Sequence, residues 1–136
     1  MKKILVILLA CIFVIPLAAC GGGGSAKYTI DTDTVDLKAV PKDYPLMSVE
    51  QIQKGVDELH EKNFDGKERT YEDLVKIFGE EGAYFKKCDT EYNKVTYLTY
   101  AWFAEKDKSV MVTFKKDGNK LIYYAWSSGT VLPSKK

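Results

Sequence analysis

Histidine occurs once in the 136 residues, at His60, and that scarcity removes most of the usual machinery of hydrolysis. A serine or cysteine nucleophile needs a base within reach and a third group to orient it, and no Ser-His-Asp or Cys-His arrangement can be assembled around His60. Its place near the end of an amphipathic pattern reads instead as a surface residue suited to a helix C-terminus. Cysteine is nearly as rare, at Cys11, Cys20 and Cys88. The first two fall in an N-terminal segment described below, so Cys88 is left without an intramolecular disulfide partner. With no histidine or metal-type spacing near it, Cys88 reads as a small apolar residue on a strand. Charge of one sign is also lacking: 20 basic residues face 19 acidic ones, which excludes nucleic acid as an expected partner. There is no phosphate-cradling glycine loop. The adjacent acids Glu80 and Glu81 sit in a turn, where neighbouring carboxylates diverge rather than converge on a substrate. The sequence therefore predicts no enzyme, no cofactor and no metal site.

Only one long apolar run is present, and it decides the address. Met1-Lys2-Lys3 is a short cationic start, Ile4 to Leu17 is almost unbroken apolar sequence, and Leu17-Ala18-Ala19-Cys20 closes it with small residues. This is the layout of a secretory signal peptide rather than a stop-transfer helix. Leu17-Ala18-Ala19-Cys20 resembles the lipobox of bacterial lipoproteins. The resemblance implies that residues 1–19 are removed and that Cys20 carries a diacylglycerol thioether. It also implies that the chain is held on the extracytoplasmic side of a membrane by acyl chains, each buried methylene contributing about 0.8 kcal/mol. Loss of residues 1–19 leaves eighteen basic against nineteen acidic residues.

Residues 20–45 read as the lipidated cysteine, a flexible Gly21–Ser25 linker and an extended tether or edge strand ending at Pro41 and Pro45. Asp31, Asp33 and Asp36 imitate the start of a calcium loop. Asp36 stands where that loop needs glycine, and Lys42 stands where it needs a bidentate glutamate, so calcium is not expected. Residues 46–130 form the folded domain, followed by a tail, 131–136. Ser48 and Gln51 form a capping box for a helix whose stripe is Val49, Ile52, Val56 and Leu59. Gly55 weakens that helix or permits a close approach. Thr70 and Asp73 cap a second helix carrying Tyr71, Leu74, Val75, Ile77 and Phe78, stopped by Gly79. From Ala83 the period changes to that of strands, expected over 84–88, 94–104, 109–115 and 120–127, with Asp117-Gly118 as a hairpin turn and 105–108 as a polar loop. The expected fold is α+β: two helices packed on one face of a four-stranded antiparallel meander.

The stretch Thr70-Tyr-Glu-Asp-Leu-Val-Lys-Ile-Phe-Gly79, then Glu81-Gly82, Tyr100-Ala-Trp102 and Val112-Thr-Phe114, resembles the repeat unit of the β-lactamase-inhibitor-like fold. That fold is shared with small lipoproteins of the outer-membrane-assembly (SmpA/OmlA) type. The likeness covers about Val49 to Gly129, one helix-helix-four-strand unit. It implies that architecture and a habit of binding proteins through the sheet, and carries over no inhibitor activity.

Alternation leads to the same face. A two-residue Asp117-Gly118 turn pairs Phe114 with Leu121, Val112 with Tyr123 and Val110 with Ala125, an apolar set suited to the helices. The opposite face then holds Met111, Thr113, Lys115, Ile122, Tyr124 and Trp126, joined by Leu98, Tyr100 and Trp102. Aromatic residues of this kind dominate protein interfaces. Tyr100, Trp102, Met111, Tyr124 and Trp126 are accordingly the expected contacts of an envelope or secreted protein partner. Other occupants remain open: a one-residue bulge would turn the aromatic set inward, and the N-terminal segment or a second copy of the chain would cover the face. A self-associating structural protein and a ligand-binding or hydrolytic lipoprotein are the other functional classes.

Overall fold

A computed structural model describes residues 26–62, 65–127 and 129–134. The expected signal peptide, the lipobox-like stretch with Cys20 and the expected glycine linker lie outside the described residues. Helix α1, Val49–Lys62, buries Ile52, Gly55, Val56 and Leu59 on one side. At its start the Ser48 hydroxyl accepts the Gln51 N–H at 3.1 Å. The reciprocal half of the expected capping box, the Ser48 N–H to the Gln51 side chain, is missing among the described residues; the Gln51 amide reaches the other helix, where Nε2 donates to the Phe78 carbonyl at 2.7 Å. That carbonyl lies at the exposed end of the second helix, so one glutamine stitches the two helices together. Helix α2, Tyr71–Phe78, has the reciprocal Thr70–Asp73 capping box and ends at Gly79 with φ 76°. The two helices meet where Gly55 has no side chain. A Cβ there would stand 2.4 Å from a ring carbon of Phe78.

The four-stranded antiparallel meander is overturned, although the α+β class stands. The sheet has six strands: β1 Tyr28–Ile30, β2 Ala83–Phe85, β3 Thr90–Tyr92, β4 Val95–Ala104, β5 Lys108–Asp117 and β6 Lys120–Ser127. Their order is β1-β2-β4-β5-β6, with β3 also paired to β4. The β1–β2 pair is parallel, so the sheet is mixed. Strand β3 shares one edge of β4 with β2, pairing near the opposite end. It was not expected because all three of its residues are exposed, leaving no alternation to read. Strand β1 falls in the segment expected as an extended tether or edge strand and is an edge strand of the sheet, on a partner more than fifty residues away in sequence.

Both faces of the sheet carry a core. Toward the helices, Ile52, Val56, Leu74 and Phe78 pack with Trp102, Val110, Val112 and Phe114. On the other face, Ile30 and Tyr44 close over Ala83, Phe85, Ala101 and Phe103. Residues 31–45, expected as an extended tether or edge strand, are thus a strap laid across half of the second face. Tyr44 fastens it, donating its hydroxyl to the Glu81 carbonyl at 2.8 Å and standing edge-on to Phe103 at 5.4 Å. Burial pushes its phenol well above the ordinary value of 10.0. The strap ends by pairing Met47 with the end of β4, through bonds from Met47 N–H to Phe103 O and from Glu105 N–H to Met47 O. At the other terminus the segment expected as a tail is partly docked. Val131 lies in the helix-side core, and Asp57 accepts both the N–H and the hydroxyl of Ser134.

Candidate functional site

Both hairpins depart from the expected register, by one residue between β4 and β5 and, up to a bulge, by two between β5 and β6; in a sheet a shift of one exchanges faces and a shift of two keeps them. Between β4 and β5, Ala104 pairs with Lys108, leaving three loop residues rather than four. Lys106 and Asp107 take φ 58° and 56° to make that turn. Trp102 therefore stands opposite Val110, and Tyr100 opposite Val112. Between β5 and β6 the two-residue turn is Gly118-Asn119, since Asp117 pairs with Lys120. Gly118 supplies the left-handed first position, φ 59°. Phe114 then pairs with Tyr123 but Thr113 with Ala125, so Tyr124 is an extra residue, a β-bulge. Beyond the bulge, Trp126 comes opposite Val112.

These shifts correct three of the five expected contact residues. Trp102 is 0% exposed, stacked on Phe78 at 4.9 Å, with its indole N–H donated to the Glu80 carbonyl at 2.7 Å. Gly82 allows that approach, because a Cβ there would meet the indole at 2.9 Å. Tyr100 is 2% exposed and lies among the rings of Tyr71, Tyr84 and Phe114 at 4.8 to 5.5 Å. Trp126 is half-buried against the same core, and among the described residues its buried indole nitrogen has no hydrogen-bond partner. All three belong to the helix side. The Glu80–Glu81 turn serves both cores through its carbonyls, the Glu80 carbonyl receiving Trp102 from the helix side and the Glu81 carbonyl receiving Tyr44 from the strap.

The other two residues stay on the second face, where the strap leaves the sheet uncovered. Met111 is half-buried, opposite Ala101, and Thr113 lies between Thr99 and Ala125. Toward the far end, Tyr97 meets Tyr124 edge-on at 4.9 Å. Tyr124 is 59% exposed, and Tyr92, paired with Val95 on the same side, is 69% exposed. Tyr92 and Tyr97 are the residues that sequence reasoning passed over. Their signal was parity: Tyr97 and Thr99 alternate with Leu98 and Tyr100, but Ala101 and Phe103 continue that row with apolar residues destined for the strap. The result is a row of three tyrosines beside Met111 and two threonines, with Lys115 between Tyr97 and Ile122. Such a surface offers broad contact area with hydroxyl groups at its edge.

The remaining chemistry is committed elsewhere. Asp31 is paired to Lys87 at 2.8 Å and Lys86 at 3.1 Å, and hydrogen bonds from Lys87 and then Lys86 hold its carboxyl below the ordinary range. Cys88 lies just past β2 rather than on a strand; its thiol points to the Thr32 carbonyl at 3.5 Å, and burial pushes its pKa up. Among the described residues no group of three or more His, Cys, Asp or Glu is placed to hold a metal ion. No helix among them is long and apolar enough to cross a membrane. No family model, no curated protein and no solved structure matches this chain.

Proposed function

We propose that the protein is a non-catalytic lipoprotein of the bacterial envelope, anchored through Cys20 on the extracytoplasmic side, whose domain binds a folded envelope protein. The contact is the uncovered half of the second sheet face, built from Tyr92, Tyr97, Met111, Thr113 and Tyr124. One observation carries the reading. The Tyr97–Tyr124 pair, 4.9 Å between ring centres, stands on a face from which the strap withdraws, with Tyr124 largely in solvent. Tyrosines are costly to leave in water and effective in interfaces, because a rigid ring loses little conformational freedom on contact. The lipobox and the resemblance to a sheet-binding fold support the same reading.

The test places a photoreactive amino acid at position 124 in the full chain, in cells, with position 54 on the solvent side of α1 as control. A discrete protein adduct at 124 that is absent at 54 and lost on Tyr92→Ala is expected. Equal adducts at both positions, or none, would sink the binding face. An adduct of twice the chain's own mass would replace the foreign partner with a second copy. Independently, Cys20→Ser is expected to move the protein from the membrane to the soluble fraction.

A further inference from the structure

The strap that closes half of the second face does not seal its end. Where it passes the β4–β5 hairpin it leaves a cleft of about 480 Å³, within the range of about 300–1,000 Å³ typical of small-molecule sites. Its base is Phe103 and Ala104, and its apolar wall is Leu37, Val40 and Leu46 from the strap. Leu46 is 51% exposed. A single exposed leucine needs no explanation, but three strap aliphatics converging on an apolar concavity mark a place where apolar matter would be sheltered. The rest of the lining is different in kind. Lys38 stands on the strap side, and Lys106 and Lys108 stand on the hairpin. None of the three forms an ion pair among the described residues, and Asp107 is the one carboxylate of the lining. Lys106 and Asp107 are also held at φ 58° and 56°. Side chains other than glycine take that conformation at a cost, and it persists only where surrounding structure enforces it.

We infer that this cleft binds an anionic amphiphile of the fatty-acid class, its acyl chain along Leu37, Val40, Leu46 and Phe103 and its carboxylate among Lys38, Lys106 and Lys108. The assignment follows from complementarity. An uncharged apolar ligand would leave the three lysines of the lining unanswered, and a purely ionic one would leave the aliphatic wall wet. Only a ligand apolar for several carbons and negative at one end uses both parts. The site is separate from Tyr97 and Tyr124, so either reading can fail without the other.

The probe is dodecanoate carrying a photoreactive diazirine, irradiated with the full chain in its membranes and mapped by peptide mass spectrometry. The matching diazirine-bearing dodecanol serves as the uncharged control. Adducts are expected on residues 37–46 and 103–109, at least tenfold stronger with the acid than with the alcohol. Leu46→Asp and, separately, Lys106→Glu are each expected to reduce them at least fivefold; both side chains are exposed enough that the fold should survive, which a thermal melt checks. Equal labelling by acid and alcohol would overturn the anionic head, and labelling elsewhere, none at all, or labelling indifferent to both variants would overturn the site.

Discussion

Alanine in place of Gly55 pits two effects of opposite sign against each other. In the middle of an exposed helix the change stabilises by about 1 kcal/mol, because glycine has more backbone freedom to lose. Here the added Cβ would stand 2.4 Å from Cδ1 and 2.7 Å from Cε1 of Phe78, distances no real contact tolerates. Phe78 has nowhere to retreat: it is fully buried, and its ring is stacked on Trp102 at 4.9 Å. Overpacking of this kind costs about 1–3 kcal/mol, and loosening the stacked pair adds about 0.5–1.5 kcal/mol. The penalty outweighs the propensity gain. Gly55→Ala should therefore destabilise by about 1–2 kcal/mol, lowering the melting temperature by roughly 4–8 °C per kcal/mol in a domain of this size. Urea unfolding followed by tryptophan emission measures it, with an unchanged slope showing that the native state is still compact. In a Phe78→Leu background the same substitution should cost at least about 1 kcal/mol less, a coupling that identifies the ring as the obstacle. A Gly55→Ala protein more stable than its parent, or an equal cost in both backgrounds, would refute the reasoning.

Three further expectations follow from the turns, the caps and the buried rings. Asn93 and Lys94 both have positive φ, 50° and 65°, and they join Tyr92 to Val95 in a two-residue hairpin; Lys94→Gly should raise stability by about 0.5–1 kcal/mol in the same urea assay, whereas Lys116→Gly within β5 should lower it. The Asp73 carboxylate lies below its ordinary 3.8, chiefly because the Thr70 backbone N–H donates to it. Its stabilisation is therefore complete above 3.8 and fades as the pH falls through the lowered folded-state value. Asp73→Asn should cost about 0.3–1 kcal/mol at neutral pH, the worth of an exposed negative charge at a helix N-terminus, with the gap to the parent closing in acid; a gap independent of pH would show that the charge is irrelevant. In single-tryptophan variants, Trp102 should emit to the blue and resist acrylamide, while Trp126 should be the more readily quenched, and the reverse order would contradict the β4–β5 register.

The helices and the last three strands were legible because their signals are local. Thr70, Asp73 and Gly79 state the limits of α2 in the residues themselves, and Phe114, Val112, Val110, Leu121 and Tyr123 do face the helices as their alternation indicates. What was not legible was the parity of β4. Leu98, Tyr100 and Trp102 form one row and Tyr97, Thr99, Ala101 and Phe103 the other, and both rows are apolar enough to be buried. Both are in fact covered in part, one by helices and one by the strap. Only the loop length decides between them, and a polar run such as Glu105-Lys106-Asp107-Lys108 does not announce which residue begins the next strand. The strap was hidden for a different reason: its anchors, Ile30 and Tyr44, are isolated apolar residues whose partners lie far along the chain. The expected binding face consequently mixed residues of both sides, and Met111 and Tyr124 remained where the reading had put them.

The bulge at Tyr124 has a neighbour of the same kind, Tyr123, and this identity matters. If the extra residue were 123 instead of 124, a tyrosine would still stand opposite Phe114 and another would still look outward. The strand thus possesses two spacings that display the same chemistry, so it can yield by one position when something presses on its outer side without exposing a mismatched side chain. Tyr124→Val would make the two spacings unequal. Backbone amides at 122–126 should then show less exchange broadening in NMR than in the parent, and an unchanged profile would mean the doublet confers no such slack.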